Sequence, residues 1–295
     1  MPQLPAEGTM KAAVRWLRAL RTADIDRARA LFIHHDAYAD LTPDQYSSGL
    51  EWLRRIGMVP VPRAAQASPA LEERFLNLQL LEKSLEAARP DWITGGNEAA
   101  FDGTWLPAPG RAVAGVLGLS NTDAAAAVEK AWLAERARVG AAGEQALVTL
   151  IARSVHAEVV HVSAFSDRFG YDIAVESARS GVHLEVKTTT HTTGQTIFLS
   201  RHEYETMRTD PAWHLVFLLL DEQDQLTTVS TVSREWIARA VPRDQHSHGA
   251  KWASARLPLP SAALTPGIEA LHEYLSPGAP ATLLTGSGRP HAVHA

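Results

Sequence analysis

Residues 170–190 read GYDIAVESARSGVHLEVKTTT, and the two halves of this stretch share one rhythm. Tyr171, Ile173 and Val175 alternate with Asp172, Ala174 and Glu176, and Val182, Leu184 and Val186 alternate with His183, Glu185 and Lys187. A period of two marks strands with one apolar face. Ala178-Arg179-Ser180-Gly181 between them predicts a turn. With the turn over 178–181, the hairpin register sets Asp172 opposite Lys187 and makes Glu185 the diagonal neighbour. The three ionisable residues then share one face, while Tyr171, Ile173, Val182, Leu184 and Val186 fill the other.

Outward from the hairpin, 144–155 is predicted helical, with Glu144, Val148, Ile151 and Val155 along one side. A carboxylate on an apolar stripe is costly unless paired or coordinating. With that stripe packed on the sheet, Glu144 is expected to point toward the charged face of the hairpin, its charge helped by the helix start. Val159 to Ala164 is a predicted strand. Ser200 and Glu203 form a capping box for a helix over 203–208. Trp213 to Leu220 is almost wholly apolar, as at the centre of a sheet covered on both faces. A strand at 226–231 and a helix from near Ser233 follow. The fold class is α/β: a mixed central sheet flanked by helices, preceded by a mainly helical region.

Two carboxylates and a lysine converging on one point suit phosphodiester hydrolysis. Carboxylates hold a hard divalent cation, which polarises phosphate and acidifies water. A lysine then orients or deprotonates that water and offsets transition-state charge. Thr188, Thr189 and His191, following the strand, with Arg168 and Arg201, are the candidate nucleic-acid contacts.

Gly143-Glu144, Gly170-Tyr171-Asp172-Ile173 and Leu184-Glu185-Val186-Lys187-Thr188-Thr189 together resemble the domain at the C-terminus of the NO VEIN protein. They also resemble Mrr-like restriction nucleases of the PD-(D/E)xK superfamily. The resemblance covers about 140–220. It implies a nuclease core with Glu144, Asp172, Glu185 and Lys187 as catalytic set. Asp172, Glu185 and Val186 would be the metal ligands, Lys187 would assist the attacking water, and Glu144 would bind the metal or orient its water shell. The implied cofactor is Mg²⁺, or Mn²⁺ in its place, and the implied partner is DNA. The implied activity is DNA endonuclease cleavage in restriction or phage defence, by a homodimer or within a defence complex. The alternative is a catalytically silent module of the same fold that binds nucleic acid or a partner protein. Asp172 lacks the preceding proline of the family's first motif.

Before the core, helices are predicted over about 10–20, 25–34 and 43–56. The last is marked by a Thr42/Gln45 capping box, Pro43 at its first position and Gly57 at its end. With an extended Met58-Val59-Pro60-Val61 they resemble a winged-helix arrangement. Trp16, Leu31, Phe32, Trp52 and Leu53 suit a small helical core better than a groove-reading surface. A further helix covers 71–88, and 91–120 reads as a linker. An Ala-rich helix from Asn121 to Arg138 is expected to break at Gly140 and Gly143. The domain expectation is 1–92 helical, 93–139 connecting, 140–275 nuclease-like and 276–295 a disordered tail.

Composition constrains the rest. The 295 residues carry a net charge of −5, so no overall basic field draws in nucleic acid. Cysteine is absent, which excludes disulfides, thiolate metal sites and Cys nucleophiles. There is no secretory-type leader and no apolar run near the ~20 residues of a membrane span, so a cytoplasmic protein without membrane contact is expected. His246-Ser247-His248, with Asp244 as its one carboxylate at ligand spacing, and His34-His35-Asp36 read as solvated histidines rather than metal sites. Neither a phosphate loop nor a serine-hydrolase elbow is present.

Overall fold

Local signals set the helical boundaries. Thr42 Oγ1 accepts the Gln45 N–H and the Gln45 side chain accepts the Thr42 N–H, so the capping box closes as predicted. The helix it starts ends at Gly57, whose φ of 69° suits a residue without a side chain. The computed structural model describes residues 4–59, 69–94, 106–166, 168–244, 252–279 and 282–285. They form two compact units, Met1–Glu135 and Arg136–Ala295.

In the described residues the first unit is helical: α1 (Glu7–Ala19), α2 (Ile25–His34), α3 (Pro43–Arg55), α4 (Pro69–Ala88), α5 (Asp91–Thr94), α6 (Ala108–Leu117) and the start of α7 (Asn121–Ala152). Its core gathers Trp16, Phe32, Trp52 and Leu53, and Phe32 stacks on Tyr46 at 4.5 Å. Leu31, expected in that core, is 39% exposed because Ala28 and Phe32 form the buried side of α2. The winged-helix expectation rested on 58–61, of which Met58 and Val59 are not in a strand and 60–61 lie outside the described residues. Within the expected linker, α5 and α6 form, and α6 ends in a left-handed Gly118.

The predicted break at Gly140 and Gly143 does not occur; both lie inside α7. Each glycine costs roughly 1 kcal/mol against alanine in a helix interior, which the alanines around them offset. Gly143 also has a reason to be there. A Cβ on it would collide with the Thr188 side chain, so the missing side chain lets the helix approach the sheet.

The second unit is built on a six-stranded sheet in the order β1 (Glu158–His161), β2 (Ile173–Glu176), β3 (Gly181–Thr189), β5 (Trp213–Leu220), β6 (Leu226–Val232), β8 (Leu264–Pro266). The β3–β5 pair is parallel and the others antiparallel. Between β3 and β5 the chain makes β4 (Thr196–Ser200) and α8 (Arg201–Thr209). Strand β4 pairs with β7 (Ser254–Pro258), while α9 (Arg234–Ala240) follows β6. Strand β5 is covered on both faces, as its composition predicted. Val216 and Leu218 meet Leu147 and Ile151 of α7, and Trp213, Leu215 and Phe217 meet β4, β7, α8 and α9.

Residues 276–279 and 282–285, expected to be tail, remain attached. The Ser276 N–H donates to the Ser154 carbonyl, and Leu284 of α10 (Thr282–Thr285) is fully buried. One apolar side chain in the core outweighs the polar composition around it.

Candidate active site

The β2–β3 hairpin carries the site. Ladder pairs run Glu176↔Gly181, Val175↔Val182, Ala174↔His183 and Ile173↔Leu184. The turn is therefore 177–180 rather than 178–181. Ser177 Oγ accepts the Ser180 N–H, and the Ser177 N–H donates to the Ser180 carbonyl, which closes it. Gly181 belongs to the strand, where the Glu176 carboxylate packs over its bare Cα. This moves the register by two, so Asp172 does not face Lys187. A shift of two keeps each β3 residue on its expected face.

Glu185 and Lys187 do share a face, the one turned to α8 and β4. Tyr171 belongs there too, stacked on His183 at 4.3 Å, not with the aliphatic residues of the opposite face. Leu184 and Val186 face α7. Asp172 leaves the ladder just before β2. Its N–H donates to the Leu184 carbonyl, and its Oδ2 takes the Val186 N–H at 2.7 Å, where a regular strand would supply a carbonyl. The carboxylate thus lies at the strand edge, in the plane of the sheet. Even-numbered β3 residues turn their main-chain groups toward β2, so the Val186 carbonyl leaves on the same edge.

Glu144 reaches this edge from the α7 side, and so does not point at the face holding Glu185 and Lys187. It accepts hydrogen bonds from Ser163 Oγ at 2.7 Å and faces His161 Nε2 at 3.0 Å. Its charge acts on Asp172. The expected one-faced constellation is therefore two-sided, with Asp172 between.

Electrostatics single out this edge. Glu185 is only 4% exposed, and burial pushes its carboxyl well above the ordinary range. Burial also raises Asp172, from 3.8 to about 6, against the lowering effect of the Val186 N–H. Lys187 Nζ donates to Glu185 Oε1 at 2.6 Å and lies 3.1 Å from Glu203 Oε2. Burial lowers its affinity for the proton, but Glu185 and Glu203 more than offset that and hold it as a cation.

Glu203 escaped the sequence reading, which saw only its helix-capping role. It fills that role, since its carboxylate accepts the Ser200 N–H at 3.0 Å. The missed signal was position: the first turn of the helix following the lysine strand brings its N3 acid back over that strand.

The nucleic-acid candidates separate. Thr188 Oγ1 is buried under α7 without a hydrogen-bond partner and cannot reach a ligand there. Thr189 Oγ1 accepts the His191 N–H, closing the strand end. The Arg201 guanidinium is clamped by Asp244, at 2.8 and 3.0 Å, and by Glu205. Arg168 is exposed, and its carbonyl accepts from His202 Nε2 at 2.8 Å. Residues 246–248 lie outside the described residues.

Two carboxylates and a main-chain carbonyl at one desolvated edge are oxygen donors suited to a hard cation. Among the described residues, no group of three or more His, Asp or Glu side chains could hold a metal ion. A cation here would keep several waters, as Mg²⁺ does.

Comparison with known families falls on the same stretch. Residues 135–230 match the family model described as Protein NO VEIN, C-terminal. The NO VEIN match covers about a third of the chain, from within α7 to β6. The matched stretch carries the β2–β3 hairpin, Glu144, Asp172, Glu185 and Lys187. No curated protein and no solved structure matches the chain. No helix among the described residues is long and apolar enough to cross a membrane.

Proposed function

We propose that this chain is a Mg²⁺-dependent DNA endonuclease acting in restriction or phage defence. The supporting observation is a charge imbalance. Among the described residues, Asp172, Glu185 and Glu203 act on one cation, Lys187, at a desolvated edge, with Glu144 close behind. Acids crowded in low dielectric without matching cations favour a divalent ion. Asp172, Glu185 and the Val186 carbonyl would hold it.

When bound, Mg²⁺ supplies polarisation of the phosphate and acidification of a water. The chain's own groups do the rest. Lys187 stays protonated between Glu185 and Glu203, so it serves as a donor to a phosphate oxygen or the attacking water rather than as a base. Glu144, fixed by Ser163 and His161, orients water on the α7 side. The defence role rests on the resemblance to restriction nucleases, and a homodimer would bring two such sites to two strands.

Plasmid cleavage and calorimetry together test this. The chain should take up Mn²⁺ or Mg²⁺ and convert supercoiled plasmid to nicked or linear forms, and Asp172→Ala and Lys187→Ala should stop cutting. Cutting that survives both substitutions rejects the assignment. A second reading draws on the tight hold of Glu185 and Glu203 on Lys187, which can close the site without any metal. In that case the fold is a silent module that binds nucleic acid or a partner protein, and calorimetry would register no divalent-ion uptake.

A further inference from the structure

The loop between β1 and β2 holds the two most exposed aromatic rings of the second unit's described residues, Phe165 at 82% and Phe169 at 53%. It is a held loop. The Phe165 and Ser166 N–H groups both donate to the Val162 carbonyl, and Ser166 Oγ accepts the Arg168 N–H. His202 Nε2 of α8 donates to the Arg168 carbonyl, and Trp213 Nε1 donates to the Gly170 carbonyl at 2.8 Å. Gly170, at φ 72°, is so close to Thr206 that a Cβ would collide with its side chain. The main chain beside both rings is thus tied down while the rings themselves stay exposed.

Both ends of this loop are the candidate active site. Ser163, two residues before Phe165, holds Glu144, and the Asp172 carbonyl accepts the Val162 and Ser163 N–H groups. Phe169 precedes Asp172 by three residues, so its Cα lies within roughly 11 Å of the Asp172 Cα by chain length alone. The rings continue inward, since Phe169 meets Tyr171 at 5.9 Å and Tyr171 stacks on His183. Arg168, exposed between the two phenylalanines, adds positive charge suited to a phosphate.

We infer that Phe165 and Phe169 form a stacking platform for an unstacked base of the DNA strand whose phosphate occupies the Asp172–Glu185 edge. This rests on the nuclease reading and adds its substrate geometry. The platform favours sites where a base leaves the helix easily, such as a bulge, mismatch or single-stranded junction.

The test uses the full chain and a DNA duplex with 2-aminopurine in a single-base bulge, in Ca²⁺ to permit binding while limiting cutting. Wild-type protein should quench the probe and prefer the bulged duplex to the fully paired one. Phe165→Ala and Phe169→Ala should each weaken binding about 10-fold and relieve quenching. Phe→Trp at either position should preserve both, and Phe→Leu should not. Phe165→Ser, at a ring 82% exposed, guards against misfolding: it should lose binding and quenching as Phe165→Ala does while keeping the wild-type unfolding midpoint. Unchanged bulge binding and quenching in the alanine variants, with Mg²⁺-dependent cutting intact, overturns the platform alone. Rescue by Leu also overturns it, because apolar bulk rather than a π face would then suffice. Wild-type protein that binds neither divalent ion nor DNA overturns the nuclease reading and the platform with it.

Discussion

The two units handle charge in opposite ways. In the helical unit, cations meet acids in exposed or half-exposed pairs: Arg15 with Asp40, Arg74 with Asp123, Arg89 with Glu135, Lys130 with Glu82. Water screens such pairs, and each contributes little. At the β2–β3 edge the chain instead places several acids around Lys187 and removes water from them. The first arrangement is adequate for folding and idle for chemistry. The second costs stability and gains a use only when something positive arrives.

Breaking the unbalanced cluster should have the largest effect. Asp172→Ala or Glu185→Ala is expected to lower plasmid cleavage by about 10³-fold or more, and Lys187→Ala by about 10²–10⁴-fold, in initial-rate assays. Next comes pH. The folded protein holds the Asp172 proton up to about pH 6, where an ordinary aspartate releases it near 3.8. That group's stabilising contribution is therefore full below about 4 and lost as pH rises through about 6. A divalent cation must displace the proton, so calorimetric affinity should fall by up to about tenfold per pH unit below 6. Affinity that is flat between pH 5 and 7 would place the ion elsewhere.

Smaller effects sharpen the contrast by sign. Glu185→Gln removes one crowded charge and should raise the metal-free unfolding midpoint while abolishing divalent-ion uptake. Asp123→Asn in the helical unit should instead lower the unfolding midpoint slightly, because Arg74 and Ser120 both use that carboxylate. The pair of glycines in α7 gives a structural control. Gly143→Ala should cost about 1–3 kcal/mol in chemical denaturation, because Thr188 fills the space. Gly140→Ala, with nothing near its Cα, should gain about 0.5–1 kcal/mol.

How far the sequence revealed these features depended on how local their causes are. The two hairpin strands, the capping boxes at Thr42 and Ser200 and the central strand β5 were readable because alternation, caps and apolar runs are local signals. The turn was placed one residue late because Gly181 resembles a turn glycine, whereas its role is to make room for the Glu176 carboxylate. Strands β4, β7 and β8 were missed. They are short, and two of them pair with each other away from the main sheet. Of the site, Glu185 and Lys187 on one face followed from parity alone. The edge position of Asp172 depends on the Val186 N–H, and Glu203's partnership depends on where α8 returns. Both are tertiary facts.

Glu203 ties helix formation to readiness for chemistry. Until Ser200 and Glu203 close the first turn of α8, Lys187 lacks one of its two anchors. A lesion that merely frays this helix end would leave a lysine free to wander. Damage remote from the ligands would then surface as lost turnover in a protein that still folds, and genetic screens would score it as a catalytic mutant.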